Sequence, residues 1–176
     1  MNSMSLDVAI LEQVNSFSSP ILDTFFVAIT QLGGTLAVTA IAAGLTAILW
    51  VRHYRRYAAL IAISVGGATL LNLLLKAIFE RTRPELWERL VIEPSYSFPS
   101  GHAMASSALA FSLIVIFWST KWRWLVVAGS LAYVLVIGFS RLYLGVHYPT
   151  DVVAGWLVSA AWVALVALLI GRKKRR

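Results

Sequence analysis

Long uncharged stretches alternate with short charged connections along this chain of 176 residues. Five segments contain no Asp, Glu, Lys or Arg: 24–51, 57–75, 94–120, 124–140 and 152–171. A helix needs about 20 residues to cross the hydrocarbon core of a bilayer, and strands would show an alternation that these segments lack. Backbone groups in lipid must bond internally, which also favours helices. The pattern predicts an all-α polytopic membrane bundle with about five transmembrane helices.

The first 19 residues follow a different pattern. Apolar residues recur there at helical spacing beside polar side chains: Leu6, Ile10, Val14 and Phe17. This spacing predicts a short amphipathic helix on the outer membrane surface. Pro20 is well placed to open the first long helix. We expect a single domain over 1–176, divided into this surface segment (1–19), a transmembrane core (20–170) and a basic tail (171–176).

Composition supports the membrane interpretation. The chain is 59% apolar and 13% charged, and its mean hydropathy is +0.78. A soluble domain carries about 25% charged residues, so these values exclude an ordinary soluble domain. The chain has no Cys, which excludes a disulfide framework, a thiolate metal site and a cysteine nucleophile.

The net charge of +7 separates into two groups along the chain. Ten of the fifteen basic residues lie in connections that share one side with the carboxy-terminal tail, and all eight acidic residues fall on the other side. The positive-inside rule then places the carboxy terminus in the cytoplasm and the amino terminus outside. The charge thus reports topology and contact with anionic lipid, and no nucleic-acid partner is expected.

Six ionisable residues lie at the outer ends of the predicted helices: Lys76, Arg83, His102, Arg141, His147 and Asp151. Such residues are functional candidates in a membrane protein. Three fixed positive charges facing one carboxylate suit a phosphate, whereas a metal ion prefers several carboxylates or neutral imidazoles. The set predicts a site for a phosphate monoester or diphosphate, without a metal ion or other cofactor.

The segment 99–102 adds a second anion-binding feature. If Ser100 caps the third long helix, the first free N–H groups of that helix point toward the outer face. Gly101 lets the backbone approach a ligand closely, and the helix dipole favours a negative charge there.

Two histidines beside a bound phosphate suggest nucleophilic catalysis with proton transfer. His147 and Asp151 are four residues apart and share a face if the last helix begins near residue 149. Asp151 could accept the N–H of one imidazole nitrogen and leave the other free to attack phosphorus. His102 could then protonate the leaving oxygen.

Each candidate also has a purely structural interpretation. Lys76 or Arg141 alone could snorkel to the interface, and Arg83 could pair with Glu80 or Glu85. The two histidines could pack, and the aspartate could favour the helix dipole. Convergence of all six on one face favours a functional site. We interpret the remaining charged side chains of the loop as solvated: Glu80, Arg81, Glu85, Glu88, Arg89 and Glu93.

These residues form a three-part pattern that resembles the type 2 phosphatidic acid phosphatase superfamily, which also includes bacterial acid phosphatases and vanadium haloperoxidases. The parts are Lys76 followed after six residues by Arg83-Pro84, then Pro99-Ser100-Gly101-His102, then Ser140-Arg141 with His147 and Asp151. All three parts are complete and in order, and they cover residues 76–151.

The resemblance implies a metal-independent phosphohydrolase that forms a phosphohistidine. His147 would be the nucleophile, Asp151 its partner and His102 the acid. The resemblance also implies a phosphate pocket built from Lys76, Arg83, Ser100, Gly101 and Arg141. Membrane members commonly have six spanning helices, whereas five are predicted here. We expect the missing first helix to affect lipid entry and the contact between subunits. A homodimer is among the expected assemblies.

We therefore expect an enzyme of the bacterial plasma (inner) membrane whose site faces the extracytoplasmic side. Its expected substrate is a lipid phosphate or diphosphate: undecaprenyl diphosphate, phosphatidylglycerophosphate or phosphatidic acid. The first is favoured because its head group is exposed on that side after use. Alternatives are a lipid A phosphatase or phosphotransferase and a non-catalytic lipid-phosphate transporter, which would not need the His147–Asp151 pair. A vanadate-dependent peroxidase is disfavoured by the membrane helices.

Overall fold

The computed structural model describes residues 3–172, and within that range it contains seven α-helices, one 3-10 turn and no strand. The helices are α1 (Ser3–Asn15), α2 (Pro20–Thr30), α3 (Thr35–Val51), α4 (Arg55–Phe79), α5 (Gly101–Phe117), α6 (Arg123–Tyr143) and α7 (Pro149–Arg172). The predicted all-α class is confirmed. Most of the predicted basic tail (171–176) lies outside the described residues.

Three of these helices are long and apolar enough to cross a membrane: α4, α6 and α7. The bent pair α2–α3 qualifies as a fourth span, with a 43° angle at the break. The remaining predicted span, 94–120, is shorter than expected, because α5 has only 17 residues and begins at Gly101. Residues 94–100 of that uncharged run belong to the preceding loop, which contributes to the site described below.

The break between α2 and α3 occurs at a pair of glycines. Gly34 is extended, with ψ 144°, and caps α3, while the 3-10 turn Gln31–Gly33 ends α2. A Cβ at Gly33 would lie 2.3 Å from the side chain of Ile137 on α6. Close packing against α6 therefore requires glycine at this bend.

Helix α5 lies at the centre of the bundle and packs against α3, α4, α6 and α7. Small residues fill its surface, and nine of its residues are buried. Its buried hydroxyls bond within the helix: the Oγ of Ser107 donates to the carbonyl of Ala103 at 2.5 Å, and that of Ser112 to the carbonyl of Ala108 at 2.7 Å. Surrounded by other helices, α5 can be polar and short while its backbone stays satisfied.

The connections alternate between the two ends of the bundle. Residues 53–57, at the turn after α3 and the start of α4, line a cavity together with Val115 of α5 and the end of α7. Loop 80–100 and connection 144–148 meet at the opposite end, where Arg83 donates to the carbonyl of Val146 at 2.7 Å. The candidate residues named above thus lie at one end of the bundle.

The predicted amino-terminal helix is present as α1, which contacts α6 and α7. Leu11 and Asp7 are buried, whereas Leu6 and Ile10 remain exposed. Asp7 is buried because it has polar partners on α7 and in loop 80–100, which sequence spacing does not reveal. Its place on the outer membrane surface stays a prediction.

Adjacent glycines in α4 provide a test of this packing. A Cβ at Gly67 would lie 2.3 Å from the Trp162 ring on α7, but nothing lies within 4 Å of a Cβ at Gly66. We expect Gly67→Ala to destabilise the folded protein by about 1–3 kcal/mol through overpacking. Gly66→Ala should be neutral or stabilising by up to about 1 kcal/mol, because alanine favours helix. Thermal unfolding in detergent compares the two, and equal melting temperatures would contradict the packing described here.

Candidate active site

Two connections build the polar end of the bundle. Loop 80–100 folds back on itself, with the N–H of Ser97 donating to the carbonyl of Arg81 at 2.8 Å. At its end, the N–H of Ser100 donates to the carbonyl of Asp151 at 3.1 Å. The second of these bonds attaches the start of α5 to the start of α7. Residues that are far apart in sequence therefore lie side by side next to a pocket lined by Lys76, Arg83 and Glu93.

His147 and Asp151 form a buried pair, as predicted. His147 is 1% exposed and Asp151 is fully buried. The Nδ1 of His147 lies 3.4 Å from the Oδ2 of Asp151. The same carboxylate oxygen accepts from the hydroxyl of Ser97 at 2.5 Å and from the N–H of Tyr148 at 2.9 Å. Three neighbours, His147, Ser97 and Tyr148, thus hold the carboxylate of Asp151 in place.

The other imidazole nitrogen faces Arg83, whose Nη1 lies 3.1 Å from the Nε2 of His147. A guanidinium group has only donors, so Nε2 must be the acceptor in this contact. The proton of the neutral ring then resides on Nδ1, which faces Asp151. This tautomer leaves the lone pair of Nε2 directed toward the arginine side of the pocket.

Burial decides the protonation state of His147. Removal from water lowers its pKa to about 3, and the positive charges of Arg141 and Arg83 act in the same direction. The hydrogen bond and negative charge of Asp151 oppose the shift without overcoming it. Burial also lowers the pKa of Arg83, but a guanidinium group stays protonated in proteins. The pocket therefore combines a neutral imidazole with a positive arginine.

Lys76 and Arg83 bind the same short stretch of loop 80–100. The ammonium group of Lys76 donates to the hydroxyl of Ser95 at 2.8 Å and to the carbonyl of Tyr96. Arg83 donates to the carbonyls of Ser95 at 2.7 Å and Tyr96 at 3.2 Å. Both cations are mostly buried. Backbone oxygens thus compensate part of their charge and hold them next to each other.

Arg141 reaches the same pocket from the end of α6. It is fully buried, donates to the hydroxyl of Thr30 at 2.8 Å and pairs with the carboxylate of Glu93. The second oxygen of Glu93 lies 3.9 Å from Arg83. The Nε of Arg141 has no partner within the described part of the chain. An anionic group from the protein itself therefore lies between two guanidinium groups.

The start of α5 agrees in part with expectation. The hydroxyl of Ser100 caps the helix by accepting from the N–H of Ala103 at 3.4 Å. A Cβ at Gly101 would lie 3.2 Å from the Oδ1 of Asn72, so the close approach found there is to α4. His102 lies in the first turn of α5, and a Cβ at Gly34 would lie 3.8 Å from its Nε2, which places its ring beside the bend between α2 and α3. The structure thus brings the predicted candidates to one end of the bundle.

The interpretation of the charged loop residues as solvated is wrong for two of them. Glu93 pairs with Arg141, and it also takes the role suggested for Glu80 or Glu85 as the carboxylate near Arg83. Arg81 is bonded to Asp151 at 2.6 Å. Their loop carries no periodic signal, so only folding shows which of its charges turn inward.

Sequence reasoning also missed several polar groups that hold the candidates. These are the hydroxyls of Thr30, Ser95 and Ser97 and the carboxylate of Asp7. Serine and threonine are common throughout such chains, and no spacing marks these four residues. Within residues 3–172, no three His, Asp or Glu side chains group in a way that could hold a metal ion.

This arrangement of histidine, aspartate and three cations at one end of a helical membrane bundle defines a class of protein. The chain belongs to the PAP2 superfamily, whose family model matches residues 56–175. The resemblance seen in the sequence is thereby confirmed.

Individual relatives are consistent with this assignment. The chain is 35% identical over 131 residues to an undecaprenyl-diphosphatase of Sulfolobus acidocaldarius, a match that covers 71% of this chain and 61% of that protein. It is 32% identical to phosphatidylglycerophosphatase B of Bacillus subtilis, covering 86% and 77% respectively. Its structure is similar to the crystal structure of a transmembrane PAP2-type phosphatidylglycerolphosphate phosphatase from Bacillus subtilis. That match has a TM-score of 0.87 and 31% identity, and it covers 99% and 90% of the two chains.

The position of Glu93 between two arginines predicts competition with external anions. Glu93→Gln removes the negative charge that Arg141 and Arg83 now share, so we expect orthophosphate to bind about tenfold more tightly, a change of roughly 1.4 kcal/mol. Phosphate-induced thermal stabilisation in detergent measures this. Glu88→Gln makes the same charge change at an exposed loop position and should leave the affinity unchanged. Equal affinities in the two variants would show that Glu93 does not compete for the pocket.

Proposed function

We propose that this protein is an integral membrane lipid phosphatase that hydrolyses a phosphomonoester or diphosphate head group through a phosphohistidine on His147. One observation carries the proposal. The imidazole of His147 is buried and neutral, with Nδ1 toward Asp151 and Nε2 toward Arg83. An oriented neutral imidazole beside fixed cations is suited to attack a phosphoryl group.

Substrate binding replaces the carboxylate of Glu93. The phosphoryl oxygens pair with the guanidinium groups of Arg141 and Arg83, which in the free protein face Glu93. Lys76 contributes a third positive charge beside Arg83. The first N–H groups of α5, at Gly101 and His102, are further donors because Ser100 uses only the N–H of Ala103.

In the first chemical step, the Nε2 lone pair of His147 attacks phosphorus. The N–P bond forms while the bond from phosphorus to the leaving oxygen breaks, and His102 donates a proton to that oxygen. The positive charge that develops on the imidazole is stabilised through Nδ1–H by the carboxylate of Asp151. The arginines stabilise the equatorial oxygens, which carry the charge of the transferring group.

In the second step, water attacks the phosphohistidine. His102, now neutral, accepts a proton from the water as the oxygen bonds to phosphorus and the N–P bond breaks. His147 returns to its neutral form and orthophosphate leaves. Each reacting group returns to its starting state without a metal ion or other cofactor.

The surroundings of the pocket support an amphiphilic substrate. Lys76 lies near the end of α4, where neighbouring apolar side chains such as Leu73 and Ile78 are exposed. A polar head group can therefore reach the cations while its hydrocarbon tail stays in the bilayer. We propose undecaprenyl diphosphate, phosphatidylglycerophosphate or phosphatidic acid as substrate, with undecaprenyl diphosphate favoured. Two of these lipids correspond to the Sulfolobus undecaprenyl-diphosphatase and the Bacillus phosphatidylglycerophosphatase B to which the chain is similar.

We further propose that the site faces the extracytoplasmic side of the plasma membrane. Basic residues gather at the opposite end of the bundle, where Arg52, Arg55 and Arg56 adjoin the turn between α3 and α4. The positive-inside rule places that end in the cytoplasm. A homodimer remains part of the proposal, to be tested by the mass of the purified protein in detergent.

The proposal predicts that phosphate release depends on His147. Purified wild-type protein in detergent should release phosphate from at least one of undecaprenyl diphosphate, phosphatidylglycerophosphate and phosphatidic acid, assayed side by side. His147→Ala should lower kcat by about a thousandfold or more, as loss of a catalytic nucleophile does. His53→Asn is the matched control, because His53 lies at the other end of the bundle with φ 62°, a conformation that asparagine tolerates. Full activity of His147→Ala would exclude the nucleophile assignment.

Two additions to that assay separate the alternatives. A chelator should leave the rate unchanged, and a strong loss would favour a metal-dependent reaction. Addition of a second lipid as acceptor should leave orthophosphate as the product. Transfer of phosphate to that lipid would instead identify a phosphotransferase, and binding without any turnover would identify a transporter.

The lowered pKa of His147 predicts how the rate depends on pH. Since burial lowers that pKa from 6.5 to about 3, the nucleophile stays unprotonated as the pH falls through the ordinary histidine range. We expect no loss of kcat/KM near pH 6.5 from this residue. The profile is measured from pH 4 to 9 with a substrate whose own titration is known. An acid limb at pH 6.5 that the substrate does not explain would contradict the assignment.

A further inference from the structure

Arg81 joins two carboxylates from distant parts of the chain. Its Nη1 lies 2.6 Å from the Oδ1 of Asp151, and its Nη2 lies 2.9 Å from the Oδ2 of Asp7. The same Nη1 donates to the hydroxyl of Thr150 at 2.7 Å, and the guanidinium group lies 4.1 Å from the ring centre of Tyr148. Four contacts thus hold this one side chain in place.

Asp7 is specifically bound although it lies on a short surface helix. It is 2% exposed, and its carboxylate accepts from the N–H of Thr150 at 3.1 Å and from the hydroxyl of Thr150 at 2.6 Å. Burial of a carboxylate is unfavourable unless it is paired and hydrogen-bonded. The contacts with Thr150 and Arg81 fulfil that condition and attach α1 to the first turn of α7.

The two oxygens of Asp151 have different partners. Oδ2 faces the Nδ1 of His147 and accepts from Ser97 and Tyr148, whereas Oδ1 is bonded to Arg81. Arg81 therefore fixes the rotation of the carboxylate from the side opposite the imidazole. Without it, the carboxylate could rotate away from Nδ1 and the tautomer of His147 would be less well defined.

We propose that Arg81 is a positioning residue for the Asp151–His147 pair and that Asp7 in turn positions Arg81, so that docking of helix α1 is required for full activity. The inference rests on the proposed function, because it concerns the same histidine and aspartate. It assigns the amino-terminal helix a part in catalysis in addition to any contact with the membrane surface. Neither residue touches the reacting phosphorus in this scheme.

The test is a double-mutant cycle on phosphate release. Arg81→Ala and Asp7→Asn should each lower kcat, Arg81→Ala by about 10- to 100-fold, as loss of a group that orients a reactive imidazole does at metal centres. KM should change by less than about twofold if each acts on the chemical step only. The double variant should be no slower than Arg81→Ala alone, because Asp7 acts through Arg81. Arg81→Lys keeps the positive charge but loses the planar guanidinium group that bonds two carboxylates at once. Its kcat should lie between those of Arg81→Ala and the wild type.

Two matched controls and a stability measurement complete the design. Glu12→Gln changes an exposed carboxylate of the same helix, and Arg89→Ala removes an arginine that contacts Pro84 and Glu85; both should retain wild-type kcat. Thermal unfolding should show that the test variants remain folded. Additive losses in the double variant, or losses that follow melting temperature, would overturn the inference in favour of a structural role.

Two further results would also be decisive. A raised KM with unchanged kcat in Arg81→Ala would overturn the inference and assign Arg81 to head-group binding. Wild-type kcat in both Arg81→Ala and Asp7→Asn would overturn it outright while leaving the proposed function intact. Failure of the proposed function is recognised separately, because His147→Ala would then match wild type or no lipid phosphate would be hydrolysed.

Discussion

The structure of the polar end depends on one buried carboxylate, that of Asp151. A carboxylate without access to water is stable only when charged and hydrogen-bonded partners surround it. Asp151 is fully buried, and its partners come from loop 80–100, from connection 144–148 and, through Arg81, from α1. To satisfy this group, the chain must bring three otherwise separate segments together. That requirement explains why His147 has a fixed orientation.

A second constraint is the repulsion among the cations of the pocket. Lys76, Arg83 and Arg141 are close together and largely removed from water, so each needs compensation. In the free protein this comes from loop carbonyls and from Glu93. Such compensation holds the positive groups ready for an anion without collapsing the pocket. Glu93 is the one carboxylate that contacts both arginines of this group within the described residues.

The helical scaffold makes this polar end compatible with a membrane. Small residues let α5 pack closely against four other helices, and its buried hydroxyls bond to backbone carbonyls one turn earlier. Ser100 and His102 at its start are therefore carried by the most enclosed helix of the bundle. Rigid support of this kind is what a site needs to keep reacting groups in position.

The sequence alone determined the helical class, the grouping of charges at two ends and the six ionisable candidates, because hydropathy and motif spacing are local properties. It also paired His147 with Asp151, since four residues span one helical turn. Tertiary structure alone decided that Asp7, Arg81 and Glu93 turn inward and that α5 begins only at Gly101. The ion pairs among those contacts join positions up to 74 residues apart, and no local pattern encodes a partnership between carboxylates and arginines over such distances.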